Sequence, residues 1–167
     1  MTFKVALVVA SDKASRGERQ DLCVAAMRSG LPHTFDVHSE AIVPDDRGAI
    51  KRLLEKLVDV DRVDCILTSG GTGLAPRDVT PQATRDVVEY EVPGLTEAMR
   101  AASLSRVPTA MLSRAVAGVR NRTLVINLPG SPNGVRESLA VIAGVLPHAL
   151  GLLRGEIGEH TPNPPSG

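Results

Sequence analysis

The stretch LTSGGTGLAPRDVTP, Leu67 to Pro81, decides how this chain is read. A short apolar run, Cys65 to Leu67, breaks into Thr68 and Ser69. Three glycines follow within four positions, Gly70, Gly71 and Gly73, and one carboxylate, Asp78, comes five positions later. A brief apolar run closed by glycine reads as a buried parallel strand, Asp64 to Thr68, feeding a loop.

Upstream, Phe3 to Ala10 is a near-continuous apolar run and predicts another buried strand. ERQDLCVAAMRSG predicts a helix ending near Gly30, with Leu22, Ala25, Ala26 and Ser29 on one face. Thr34 to Ile42 predicts a strand closed by VPDD, and the helix after it stacks Ala49/Ile50, Leu53/Leu54 and Leu57/Val58 at helical spacing. Strands alternating with helices give a mostly parallel sheet covered by helices on both faces, an α/β fold.

Downstream, TPQATRDVVEYEV predicts a short helix with Thr80 as N-cap and Pro81 at the first helical position. PGLTEAMRAASLS predicts a further helix. AVAGVRNRTLVINLPG predicts two short strands about a tight RNR turn, the second ending at Leu128. From Ser131 a last helix carries Val135, Leu139, Ile142, Ala143 and Leu146 on one face, and Pro147 is expected to kink or restart it before Leu150 and Leu153. Residues 1–155 read as a single domain, and 156–167 as a Pro-rich tail expected to be disordered.

Composition narrows the function. Nineteen basic residues balance nineteen acidic ones, so no global field draws polyanions or anionic membranes. Phe3, Phe35 and Tyr90 are the only aromatic residues, too few for a stacking platform on single-stranded nucleic acid. No nucleic-acid or membrane partner is expected, and the N-terminal apolar run is too short for a span and lacks a cleavage region. A cytoplasmic location is expected. Cys23 and Cys65 match no zinc or redox spacing and read as buried thiols. His33, His38, His148 and His160 show no ligand spacing, so neither a catalytic histidine nor a transition-metal site is expected.

Ligands of open parallel sheets bind outside the carboxyl ends of the strands. Four polar loops leave those ends here: Ser11 to Gly17, Pro44 to Asp46, Thr68 to Asp78, and Leu128 to Pro132. Glycines at 70, 71 and 73 let backbone N–H groups approach a phosphate, although a plain tight turn would use them too. The loop lacks the lysine and spacing of a P-loop. Gly130, Ser131 and Pro132 open a helix whose N-terminus suits an anion, and an ordinary cap looks the same. Asp45 and Asp78 follow successive strands and can hold a divalent cation at one rim. The alternatives are helix capping for Asp45 or Asp46 and an ion pair or turn role for Asp78. Lys13, Arg16, Arg77 and Arg114 can offset phosphate charge, while Asp12 and Asp21 either join the site or fix their own loops.

SDKASRGERQD, VPDD, TSGGTGLAPRDVTPQAT, VPGLTEAMR, SLSRVPTAMLSR and INLPGSPNGVRESL together resemble the molybdopterin adenylyltransferases, the MogA/MoaB type of molybdenum-cofactor biosynthesis protein. The likeness runs from about Lys4 to Gly155, and the opening SDKAS favours the MogA branch. The resemblance implies a three-layer α/β fold, a homotrimer, and transfer of AMP from ATP to the terminal phosphate of molybdopterin with Mg²⁺ and release of pyrophosphate. It also implies hand-off of the product to the molybdate-inserting enzyme. It assigns catalysis and Mg²⁺ to Asp45 and Asp78, and substrate binding to Ser11, Asp12, Ser69, Gly70, Gly71, Thr72, Gly73, Arg77, Ser113, Pro129, Gly130 and Ser131. A non-catalytic molybdopterin-binding module and a related nucleotide pyrophosphatase are the alternatives.

Overall fold

Strand β1 (Phe3–Ala10) explains the layering of the fold. Its successive side chains point to opposite faces, and all but Lys4 are buried. Val5, Leu7 and Val9 belong to one apolar core; Ala6, Val8 and Ala10 belong to another. A strand apolar on both faces must be covered on both, and helices do so here. The computed structural model describes residues 1–157.

Six strands form one sheet in the order β2-β1-β3-β6-β5-β4. β1, β2 (Phe35–Val43), β3 (Cys65–Ser69) and β6 (Thr123–Leu128) run parallel; β5 (Ala117–Arg120) and β4 (Tyr90–Glu91) continue the sheet antiparallel. The chain crosses from β1 outward to β2, then returns past β1 to β3. The order therefore reverses between β1 and β3, where such sheets open a crevice.

On one face α2 (Cys23–Gly30), α5 (Pro93–Leu104), α6 (Pro132–Ile142) and α7 (Leu146–Arg154) deliver Cys23, Met27, Met99, Val135, Leu139 and Leu150 to the core. On the other, α3 (Arg47–Glu55), the π-helical turn Lys56–Val60 and α4 (Thr80–Arg85) deliver Ile50, Leu54, Leu57, Val58 and Ala83. This is the three-layer α/β fold expected.

Several local expectations are corrected. α2 begins at Cys23, and its buried face is Cys23, Ala26 and Met27; Leu22, Ala25 and Ser29 are exposed. Residues 12–15 form a separate turn of helix, α1 (Asp12–Ser15). Thr80 does not cap α4: it is the first helical residue, after Val79. Tyr90 and Glu91, read as helix, pair with β5 as a two-residue edge strand. The expectation for Pro147 holds: it restarts the helix from the first turn of α7, where its missing N–H costs no hydrogen bond, and the axis bends 64° between α6 and α7. The tail expected from 156 lies, from 158 onward, outside the described residues.

Candidate active site

The crevice between the ends of β1 and β3 is a cavity of about 350 Å³, and all four predicted loops reach it. Ser11 and Asp12 follow β1, Asp45 follows β2, and Ser69, Gly70 and Gly71 close β3. Arg77, Asp78 and Gly130 complete the predicted residues in its wall. Thr72, Gly73, Ser113, Pro129 and Ser131 line a neighbouring cavity of about 410 Å³ instead. Gly130 borders both. The fourteen predicted residues thus fall into two adjoining cavities.

The glycine loop is shaped by contact. Gly70 and Gly71 have φ of +96° and +69°, a region side chains rarely adopt. A Cβ at Gly70 would come within 2.5 Å of the Ala10 carbonyl oxygen, so β1 and β3 could not end so close together. Ser69 Oγ donates to the Pro129 carbonyl at 2.7 Å, tying the loop to the LPG segment. Arg114 straps the other side: its N–H donates to Thr72 O, Nε to Gly73 O and Nη2 to Asp78 O, at 2.9, 2.9 and 2.7 Å. Its guanidinium is therefore committed to backbone carbonyls, not to phosphate. Arg16 is paired with Glu18 outside the cavity. Ser131 Oγ accepts from Gly134 N at 3.0 Å, an ordinary cap on α6.

The carboxylates divide their work by position. Asp46 caps α3 by accepting from Ala49 N at 2.7 Å, which leaves Asp45 to the cavity. Asp45 and Asp12 clasp each other: Asp12 N donates to Asp45 Oδ2 at 3.0 Å, and Asp45 N to Asp12 Oδ1 at 2.9 Å. Asp78 Oδ2 accepts from Ala75 N at 3.0 Å and steadies its turn, without an ion pair to Arg77 among the described residues. Burial, then the charges of Asp12 and Asp78, push the Asp45 carboxyl above its ordinary range; the bond from Asp12 N and the charge of Arg77 oppose this. Among the described residues neither Asp45 Oδ1 nor Asp78 Oδ1 makes a hydrogen bond, and no three His, Cys, Asp or Glu side chains form a metal cage. Two carboxylates in the wall of one cavity of about 350 Å³ are the donor type that suits Mg²⁺, which keeps waters and is held by one or two carboxylates plus substrate phosphates.

A family model described as a probable molybdopterin binding domain matches residues 6–148. The chain belongs to that family. It is 42% identical over 158 residues to the molybdopterin adenylyltransferase of Helicobacter pylori strain J99, across 92% of this chain and 89% of that one. It is 39% identical over 177 residues to the Escherichia coli K12 enzyme of the same name, across 96% and 90%. The crystal structure of the molybdopterin biosynthesis enzyme MoaB from Thermus thermophilus superposes with a TM-score of 0.88 at 53% identity, covering 92% of this chain and 98% of that one.

Within this family member, two features of the site escaped the sequence reading, the Arg19–Gln20 pair and Asn127. Arg19 and Gln20 line the charged cavity from a segment read as helix. Asp21, expected to join the site or fix its own loop, lines the cavity and also accepts from Cys23 N and Val24 N, both at 3.0 Å, which turns the chain into α2. Asn127, fully buried in β6, donates through Nδ2 to Thr68 Oγ1 and Thr84 Oγ1, both at 2.9 Å, and accepts from Val116 N at 3.0 Å. A satisfied buried network of this kind fixes β3, β6 and α4 relative to one another beneath the glycine loop. Its signal in the sequence was a lone Asn in the apolar run LVINL.

Proposed function

We propose that this chain is a molybdopterin adenylyltransferase, joining the adenylyl group of ATP to the terminal phosphate of molybdopterin. The observation that carries this is the convergence of four strand-end loops, with Asp45 and Asp78, on one cavity at the switch point. A molybdopterin phosphate oxygen attacks the α-phosphorus, the bond from that phosphorus to the bridging oxygen breaks, and pyrophosphate leaves. The attacking phosphate is ionised at neutral pH and needs no general base; no histidine lines the cavity among the described residues. What the site must supply is alignment and charge neutralisation.

Lys13, Arg19 and Arg77 line the cavity and offset negative charge as the leaving group develops it. Gly70 and Gly71 permit close approach of the phosphates to the backbone. Asp45 and Asp78 would hold Mg²⁺, which when bound neutralises phosphate oxygens. We further propose a homotrimer that hands its product to the molybdate-inserting enzyme in the cytoplasm. Exposed Leu104, Val107, Met111 and Leu112 around the end of α5 and the 3₁₀ turn Pro108–Leu112 support a covered surface. Among the described residues no single helix is long and apolar enough to cross a membrane.

The test is incubation with molybdopterin, ATP and Mg²⁺, with adenylylated molybdopterin and pyrophosphate expected in equal amounts. Pyrophosphate formed without molybdopterin would indicate the hydrolytic alternative. Tight molybdopterin binding without turnover would indicate a binding module.

A further inference from the structure

Residues 72–78 lie between β3 and α4 and serve both cavities: Thr72 and Gly73 line the second, Arg77 and Asp78 the first. No helix or strand orders this stretch, and Leu74 to Arg77 are exposed. Its internal brace is one turn, in which Asp78 N donates to Ala75 O at 2.8 Å and Ala75 N to Asp78 Oδ2 at 3.0 Å. That turn ties the Asp78 side chain to its own loop and leaves open what ties the loop to the sheet. A functional group on a loop is placed well only where a rigid scaffold holds that loop.

Arg114 does the holding. Among the described residues, every hydrogen bond between residues 72–78 and the rest of the chain comes from Arg114: N to Thr72 O at 2.9 Å, Nε to Gly73 O at 2.9 Å and Nη2 to Asp78 O at 2.7 Å. One residue thus grips both ends of the loop. Its guanidinium is half-buried and has no carboxylate partner among the described residues. The planar fork holds two carbonyls at once in fixed geometry, and its charge strengthens each bond. The footing of Arg114 is braced in turn. The carbonyls on either side of it, Ser113 O and Ala115 O, accept from Arg100 Nη1 of α5, each at 3.4 Å, and Val116 N donates to Asn127 Oδ1 at 3.0 Å.

We infer that Arg114 is a positioning residue for Asp78: by clamping both ends of residues 72–78 it sets where the Asp78 carboxylate stands in the first cavity. The kinetic arm of the test rests on the adenylyl-transfer reading; the exchange arm does not. Arg114→Lys keeps the charge without the fork, and Arg114→Met removes the charge as well. Each leaves the backbone N–H of residue 114 in place. Both should lower kcat on the order of 10²-fold, the scale of a misplaced reacting group, with KM for ATP nearly unchanged. In an Asp78→Asn background either change should lower kcat little further, because a residue that acts through Asp78 then has no carboxylate left to place. In the ligand-free protein, amide exchange at Ala75 and Asp78 should speed up in both variants, while β1 amides keep their protection. Near-wild-type kcat in Arg114→Lys would make charge alone the function of Arg114. Fully multiplicative losses in the double variants would separate Arg114 from Asp78. Unchanged exchange at Ala75 and Asp78, or lost protection across β1 as well, would show that Arg114 does not specifically hold this loop. Each of these results would overturn the assignment. If the wild-type protein transfers no adenylyl group, the functional reading fails, and the exchange arm alone decides whether Arg114 holds the loop.

Discussion

The two ends of the parallel strands carry similar residues and use them in opposite ways. At the amino ends, Arg154 grips both carboxylate oxygens of Asp64 at 2.8 and 2.7 Å, donates to Thr2 O, and lies over the Phe3 ring at 4.6 Å. Arg120 grips Asp59 in the same way at 3.1 and 2.8 Å. Asp59, Asp64 and Arg154 line a depression of about 700 Å³, larger than either cavity at the opposite end. At the carboxyl ends, Asp45, Asp78, Lys13, Arg19 and Arg77 share one cavity, yet none forms an ion pair among the described residues. Size does not mark the site. Carboxylates left without a cationic partner do: Arg62 and Arg122 in the amino-end depression also form no ion pair among the described residues, but each carboxylate lining it is matched by a guanidinium.

The sharpest way to break this contrast is to neutralise the carboxyl-end charges. Asn keeps the shape of Asp and can accept the same backbone bonds, so Asp45→Asn and Asp78→Asn should fold normally. Adenylyl transfer should nevertheless fall roughly 10²-fold, as when reacting groups are misplaced. Asp46→Asn, which still caps α3, should change turnover far less. The measurement is product formed per folded protein, with Tm recorded alongside. Unchanged turnover in both Asp45→Asn and Asp78→Asn would return the two residues to a structural role.

Gly71→Ala probes the contact between the glycine loop and α4. The added Cβ would stand at positive φ and within 2.3 Å of buried Thr80 Oγ1, so the loop or α4 must shift. Strain of this kind costs about 1–3 kcal/mol. Nucleotide and molybdopterin affinity should fall, and Tm should fall as well. Gly94→Ala, at a helical position with open space around it, should do neither.

How far this contrast was legible in the sequence depended on whether a residue's role is local. Apolar runs such as Phe3 to Ala10 announce buried strands by themselves, and the loops that leave them were found by their glycines and carboxylates. The choice of Asp45 over Asp46 was not settled by the residues alone, since either could have capped α3; the resemblance selected Asp45 and the cap geometry agrees. Arg114 is legible as a charge, but its three carbonyl partners come from a loop some forty residues earlier. The face of α2 was misread because Leu22, the most apolar residue of the pattern, is 54% exposed at the cavity wall, while Cys23 and Met27 fill the core. β4 has two exposed residues and no apolar signature. Tertiary packing decided each of these, and no local pattern encodes it.

The amino-end pairs should matter to folding alone. Arg154 and Asp64 are mostly buried at 24% and 14% side-chain exposure, and Arg154→Gln would leave Asp64 short of its guanidinium partner. A loss of about 1–2 kcal/mol is expected from denaturant unfolding, with kcat per folded molecule unchanged. A kinetic defect in Arg154→Gln at full stability would blur the distinction between the two ends.

The smallest expected effect tests the same distinction by pH. Asp45 and Asp59 are displaced in opposite directions: burial raises the first, and the hydrogen bond from Arg120 lowers the second. For Asp45 the folded protein holds its proton more tightly than the unfolded chain. Its favourable contribution is therefore complete below the ordinary value of 3.8 and is lost as pH rises through the raised folded value. At neutral pH the ionised carboxylate works against the fold, so Asp45→Asn should be at least as stable as wild type there. That advantage should shrink as pH falls and wild-type Asp45 takes up its proton. For Asp59 the sign reverses: its contribution is present above 3.8 and is lost as pH falls through the lowered folded value. Asp59→Asn should thus be less stable than wild type at neutral pH, with the deficit closing in acid. Unfolding curves of both variants against wild type across this range read the two differences directly. Parallel rather than opposed pH dependences would mean that the two ends of the sheet do not differ in how they use charge.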